Sequence, residues 1–193
     1  MGSLVLTGNT SGSVTVAVPD VAGSNTATIG AATGTHYPFT AGTAVASTSG
    51  TSIDFTGIPS WVKRITVMFK GVSTSGTNNL IVQLGAGSLT TSLYVGSHVR
   101  FAGAAIATSS WAGSGIEFAM PVATYEYSGS LELTKISGDA WIANGFLGST
   151  NNAYGLQTGG NSADLGGSLA QLRITTVGGT QTFDAGSINI LYE

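Results

Sequence analysis

The constraint that most narrows the fold of this chain is a period-two apolar pattern broken every few residues by glycine-rich turns. It is clearest in the stretch LAQLRITTVGGTQTFDAGSINILYE at residues 169–193, where two alternating apolar segments flank Gly178-Gly179. Alternation places every second side chain on one face of a strand, while a Gly-Gly pair supplies the positive backbone angles that a tight turn needs. The same signature recurs at Ile53–Phe55, Arg64–Val72, Leu80–Leu84, Ser92–Phe101, Ile116–Met120, Gly129–Ile136 and Ala140–Leu147. No window carries the i, i+3, i+4 apolar spacing of a helix. Short strands between glycine-rich turns predict an all-β, jelly-roll-like antiparallel β-sandwich. Ser137-Gly138-Asp139 reads as the turn of a hairpin. Ile188, Ile190 and Tyr192 are expected inward, completing one sheet with Leu172 and Ile174.

The first fifty residues differ in composition. They hold one charged residue, Asp20, and otherwise mostly Gly, Ala, Ser, Thr and Val. Leu4–Leu6, Val14–Val18 and Ser24–Ile29 are candidate short strands, and Pro19 ends the second because it cannot donate to a ladder. The organisation expected is an extended N-terminal arm at 1–50, serving anchoring or assembly, and a β-sandwich domain at 51–193. Residues 102–115, with Trp111, and 148–167, with Tyr154, read as long polar loops.

Composition excludes several function classes. Only 8% of the 193 residues are charged, against roughly 25% in ordinary soluble domains. A surface so poor in charge suits a subunit that hides much of itself in an assembly. Six Lys and Arg and a net charge of −3 leave too little positive charge for a nucleic-acid partner. There is no cysteine, hence no disulfide and no thiolate zinc site. No apolar run approaches the ~20 residues of a membrane span, so no membrane insertion is expected. The opening MGSLVLTGNTSG lacks the basic and apolar regions of a signal peptide.

The residues that could carry chemistry are few. His36 and His98 show no metal-ligand spacing, and three or four ligands are usually needed; a threefold axis could gather copies of either. No nucleophile elbow occurs around any serine. Glu126 and Glu132 are the one carboxylate pair worth weighing for glycoside hydrolysis. The glycine pairs lack the Lys and the helix of a phosphate loop. The expectation is therefore no enzyme, no catalytic residues, no cofactor and no metal. Trp111 and Tyr154 are the candidate receptor or partner contacts, since aromatics among small polar residues suit sugar stacking or protein contact. Trp61 and Trp141 are expected in the core.

Two parts of the chain resemble bacteriophage virion proteins. LVLTGNTSGSVTVAVPDVAGSNTATIGAATGT, at 4–35, is similar to a segment that recurs in phage tail fibres and other structural proteins ahead of a distal domain. TSIDFTGIPSWVKRITVMFKGVSTSGTNNLIVQLG, at 51–85, together with 169–193, resembles the C-terminal domain of many phage tail fibres, with FTGIPSWVKRI and TFDAGSINILY as its specific wording. The resemblance implies a β-sandwich component of the virion, a homotrimer without catalytic residues, made in the host cytoplasm. Its implied partners are copies of itself, other virion proteins met through the N-terminal arm, and a host cell-surface glycan or protein. A capsid decoration or head-fibre protein is the alternative; a polysaccharide depolymerase and a carbohydrate-binding module are more distant ones.

Overall fold

The computed structural model describes residues 3–7, 13–17 and 39–193. The candidate strand at Ser24–Ile29 and His36 lie outside the described residues. The chain divides into two compact units, Met1–His36 and Tyr37–Glu193. In the first, β1 (Ser3–Thr7) and β2 (Ser13–Ala17) pair antiparallel, with Leu4 opposite Val16 and Leu6 opposite Val14.

The second unit is an antiparallel β-sandwich, and among the described residues no helix occurs. In chain order its strands are β3 (Thr40–Ala41), β4 (Val45–Ala46), β5 (Ser52–Thr56), β6 (Arg64–Thr74), β7 (Leu80–Gly85), β8 (Tyr94–Ala102), β9 (Ala105–Gly113), β10 (Ile116–Phe118), β11 (Tyr127–Ser137), β12 (Ala140–Ser149), β13 (Tyr154–Asn161), β14 (Gln171–Thr176) and β15 (Phe183–Tyr192). A four-stranded sheet runs β10-β7-β14-β5. A nine-stranded sheet runs β3-β15-β6-β11-β12-β13-β8-β9, with β4 also on β15. The pairs β6·β15, β7·β14 and β8·β13 are nested. Each late strand returns along an early one, as in a long hairpin rolled up on itself, which is the connectivity of a jelly roll.

Alternation decides what is buried. Ile65, Val67, Leu131, Leu133, Trp141 and Leu147 point inward from the large sheet, against Val82, Leu84, Leu172, Ile174 and Phe118 from the small one. Phe69 meets Phe118 edge-on across the gap, with ring centroids 6.2 Å apart. Trp141 is fully buried, whereas Trp61 is half-buried at the margin, 5.9 Å from the Tyr192 ring. The hairpin at Gly138 forms between β11 and β12, and Lys135 Nζ donates to Asp139 Oδ1 across it at 2.8 Å.

Three expectations are corrected. The strands flanking Gly178-Gly179 do not pair: β14 belongs to the small sheet and β15 to the large one. The two glycines, at φ +83° and +65°, open a crossover between layers. Apolar alternation cannot tell a partner beside a strand from a partner across the sandwich, because both arrangements bury Leu172, Ile174, Ile188 and Ile190. The other two concern residues 102–115 and 148–167, which contain β9 and β13 rather than only loop. Their small polar residues pair through the backbone with β8 and β12, and that context overrides weak strand propensity. Residues 40–47, read above as part of the arm, run along the last strand. Leu191 is opposite Ala41, Ile188 is opposite Val45, and the Ser47 hydroxyl donates to the Ala185 carbonyl at 2.7 Å.

One glycine fixes the join between β6 and β15. Gly186 sits at φ +89° where the register shifts, and a Cβ there would lie 2.4 Å from the carbonyl oxygens of Lys70 and Gly71. Gly186→Ala is therefore expected to destabilise the fold by about 1–3 kcal/mol through strain alone, and Leu133→Ala by about 2–5 kcal/mol through its cavity. Urea unfolding of both variants measures this; a Gly186→Ala midpoint equal to that of the parent would show that the bulge is not needed.

Candidate functional site

The inner face of β8 departs from the pattern of the other strands. Tyr94, Gly96, His98, Arg100 and Ala102 face inward, while Val95, Ser97, Val99 and Phe101 face out. A histidine and an arginine thus enter the sandwich, while three apolar side chains, Val95, Val99 and Phe101, lie outside. The register dictates this: Arg100 is opposite Leu156 and His98 opposite Thr158, both buried on β13.

Around these two side chains the structure gathers a polar and aromatic corner. Glu117, on β10, lies with Oε1 3.8 Å from His98 Nδ1. Asn79 donates from Nδ2 to that same Oε1 at 2.6 Å and accepts from the Met120 amide at 3.1 Å, which ties the carboxylate to the loop ends. Tyr125 stands 5.5 Å from Tyr154 and 6.5 Å from Tyr127, ring centre to ring centre. The Tyr127 hydroxyl and Arg100 Nε are buried without a hydrogen-bond partner. Burial pushes the Tyr127 phenol well above its ordinary range, the neighbouring tyrosines add to this, and the charge of Arg100 pulls the other way. Tyr154 is raised too, first by burial, again against the pull of Arg100. Arg100 is thus near both phenols.

Tyr154 opens β13 half-buried in this corner. Trp111 is elsewhere. It lies on β9 opposite Gly96 and is 7% exposed. A Cβ on Gly96 would come 2.4 Å from its ring, and one on Gly160 2.8 Å, so the indole lies directly on the backbones of β8 and β13. Tyr154 and Gly160 are six residues apart on one strand, which at ~3.3 Å per residue separates the two aromatics' ends of the sheet by roughly 20 Å. They do not form one site. Glu126 and Glu132 are likewise not brought together: β11 runs unbroken after Glu126, which puts the carboxylates' backbones roughly 20 Å apart, well beyond the ~5–10 Å of a glycosidase pair. Among the described residues no three His, Cys, Asp or Glu side chains gather as a metal ion would require.

The residues that sequence reasoning passed over are Arg100, Glu117 and Tyr127. The signal for the first was present: in HVRF, the charged and apolar residues alternate cleanly, but nothing local says which set faces in.

No protein-family model matches the chain, and neither does a curated protein or a solved structure.

Tyr94 locks this region to the small sheet. Its hydroxyl accepts from the Leu84 amide at 2.7 Å and faces the carbonyls of Leu84 and Thr90 at 3.3 and 3.2 Å. Burial pushes its phenol up to about 12, against the lowering effect of the Leu84 amide. The folded state thus favours the neutral phenol relative to the unfolded chain, where it titrates near 10. The resulting stabilisation is complete below pH ~10 and is lost as pH rises from about 10 to about 12. Equilibrium unfolding across that range, with Tyr94→Phe as the control, reads this; an equal alkaline loss in Tyr94→Phe would assign the effect to other groups. Trp111→Ala is expected to cost about 3–5 kcal/mol and Tyr154→Ala less, since only the first is nearly enclosed.

Proposed function

We propose that the protein is a bacteriophage virion structural protein, a homotrimeric component of a tail fibre or tip that contributes to host adsorption. The observation that carries this reading is the outward face of the large sheet. No outward position on β8, β9, β12 or β13 holds a charged side chain. Several hold large apolar ones: Ile106 is 68% exposed, Phe146 52%, Val95 46% and Ile142 44%. Phe146 and Phe101 stand 6.5 Å apart on this face. Four strands at ~4.8 Å spacing and about eight residues in length make roughly 500 Å² of uncharged sheet. A face of that kind marks an interaction surface rather than a solvated one. On β11 and β6 the same face runs on through Ser130 and Met68 but carries Glu132 and Lys70, so the uncharged patch ends at β12 and charged groups border it.

The occupant that fits is another copy of the chain. A sandwich packs one face of each sheet internally and leaves the other for a symmetry mate. The resemblance of 4–35, 51–85 and 169–193 to phage fibre proteins, which form trimers, supports the same reading. In it, the N-terminal arm contacts other virion proteins, and the sandwich projects outward towards a host glycan or protein.

Sedimentation of the purified chain is expected to give a single trimeric species. Phe146→Asp, which places a charge in the middle of the face, should shift it towards monomer while leaving the far-ultraviolet spectrum unchanged. A parent protein that sediments as a monomer at micromolar concentration would overturn the homotrimer. Copy number per particle separates a fibre or tip, at a few to tens, from a capsid decoration protein, at hundreds.

A further inference from the structure

We propose that the cleft beside His98 and Arg100 is an oxyanion-binding site. It lies where β8 and β9 meet the residues following β10, and is lined by His98, Arg100, Ala107, Thr108, Ser109 and Ala119. Two independent observations point to a ligand. Arg100 Nε and His98 Nδ1 are both buried, and neither has a hydrogen-bond partner. His98 is only 9% exposed, so its ring is committed to this interior. Among the described residues no carboxylate forms an ion pair with Arg100.

Arg100 is half-buried, and burying its Nε without a partner costs free energy, because the lost water is not replaced and Arg does not give up its proton. Buried charges are ordinarily paired. Glu117, the acid beside His98, forms no ion pair with Arg100. Its Oε1 stops 3.8 Å from His98 Nδ1, and Asn79 already holds it. The planar guanidinium presents a fork that matches a carboxylate, phosphate or sulfate group, and an imidazole nitrogen beside it adds a further donor. Ser109, opposite His98 on β9, brings a hydroxyl to the cleft that suits a remaining oxygen, whereas Thr108 borders it through its backbone and shares the outward face with Val99.

Size decides which part of a ligand enters. The cleft measures about 130 Å³, well below the ~300–1,000 Å³ of pockets that enclose a whole small molecule. It takes one oxyanion group and leaves the rest of any larger ligand outside. The same chemistry is offered by a free ion and by the carboxylate of an acidic sugar. The site itself is independent of the virion reading; its use for an acidic sugar deepens that reading and rests on it.

Calorimetry and amide NMR shifts of the full chain test this, using sodium acetate, inorganic phosphate and glucuronate at constant ionic strength against chloride. All three anions are expected to bind, with shifts centred on His98, Arg100 and Ser109. Arg100→Gln should weaken binding about tenfold or more, Arg100→Lys less, since it keeps the charge and loses the fork. Lys63→Gln, on the exposed surface, should bind as the parent does. Glucuronate binding about tenfold tighter than acetate assigns the site to an acidic sugar; equal binding assigns it to free oxyanions and leaves the adsorption reading to its own test. Absence of any shift beyond the chloride control overturns the proposal, as does unaltered binding by Arg100→Gln. Should Arg100→Gln fail to fold, shifts in the parent that map away from β8 and β9 overturn it equally.

Discussion

The structure depends on burying one wide sheet under one narrow sheet. The apolar inner faces of nine strands and four strands must be shielded together, and hydrophobic burial drives the closure. The narrow sheet reaches its limit at β10, while the wide one continues through β13 to β8 and β9. β10 lies against β13 and β8; among the described residues the small sheet has no strand beyond it, and side chains complete the cover. The Trp111 indole lies across Gly96 and Gly160 at one end, and the tyrosines around Arg100 fill the other. The polar corner and the cleft beside it are consequences of the mismatch in sheet width. On the opposite face of the same strands, the mismatch has no effect, and an uncharged, partly apolar surface is left facing out.

That view also explains what was legible in the sequence. The all-β class, the β11–β12 hairpin and the inward sets on β6, β7, β12, β14 and β15 follow from alternation, because each of those strands has one face in a continuous apolar core. Trp141 was legible for the same reason. β9 and β13 were not. In AIATSSWAG only Trp111 is buried, and in YGLQTGGN two glycines stand under other side chains, so neither carries the apolar rhythm of a core strand. Their strand character comes from partners distant in sequence.

The candidate site was partly legible. Tyr154 belongs to the polar corner, but Trp111 serves as cover for the sheet rather than as an exposed contact. Arg100 was passed over, and the inward placement of His98 beside it was not legible, because alternation fixes which residues share a face and not which face is inside. For SHVRF the ordinary expectation would turn Val99 and Phe101 inward; pairing of Arg100 with Leu156 and His98 with Thr158 sets the opposite. The crossover at Gly178-Gly179 was misread for a related reason, since a turn between adjacent strands and a step between layers use the same residues.

Assembly is where the two faces of the wide sheet become function. The inner face closes the sandwich, and in the proposed assembly the outer face of β8, β9, β12 and β13 is the one that would meet a symmetry mate. Cryo-electron microscopy of purified virus particles containing this chain tests that account most directly. The account predicts threefold density in a fibre or tip, with the outward faces of β8, β9, β12 and β13 turned towards neighbouring copies. Particles in which those strands face solvent, or in which the chain forms no threefold assembly, would contradict it.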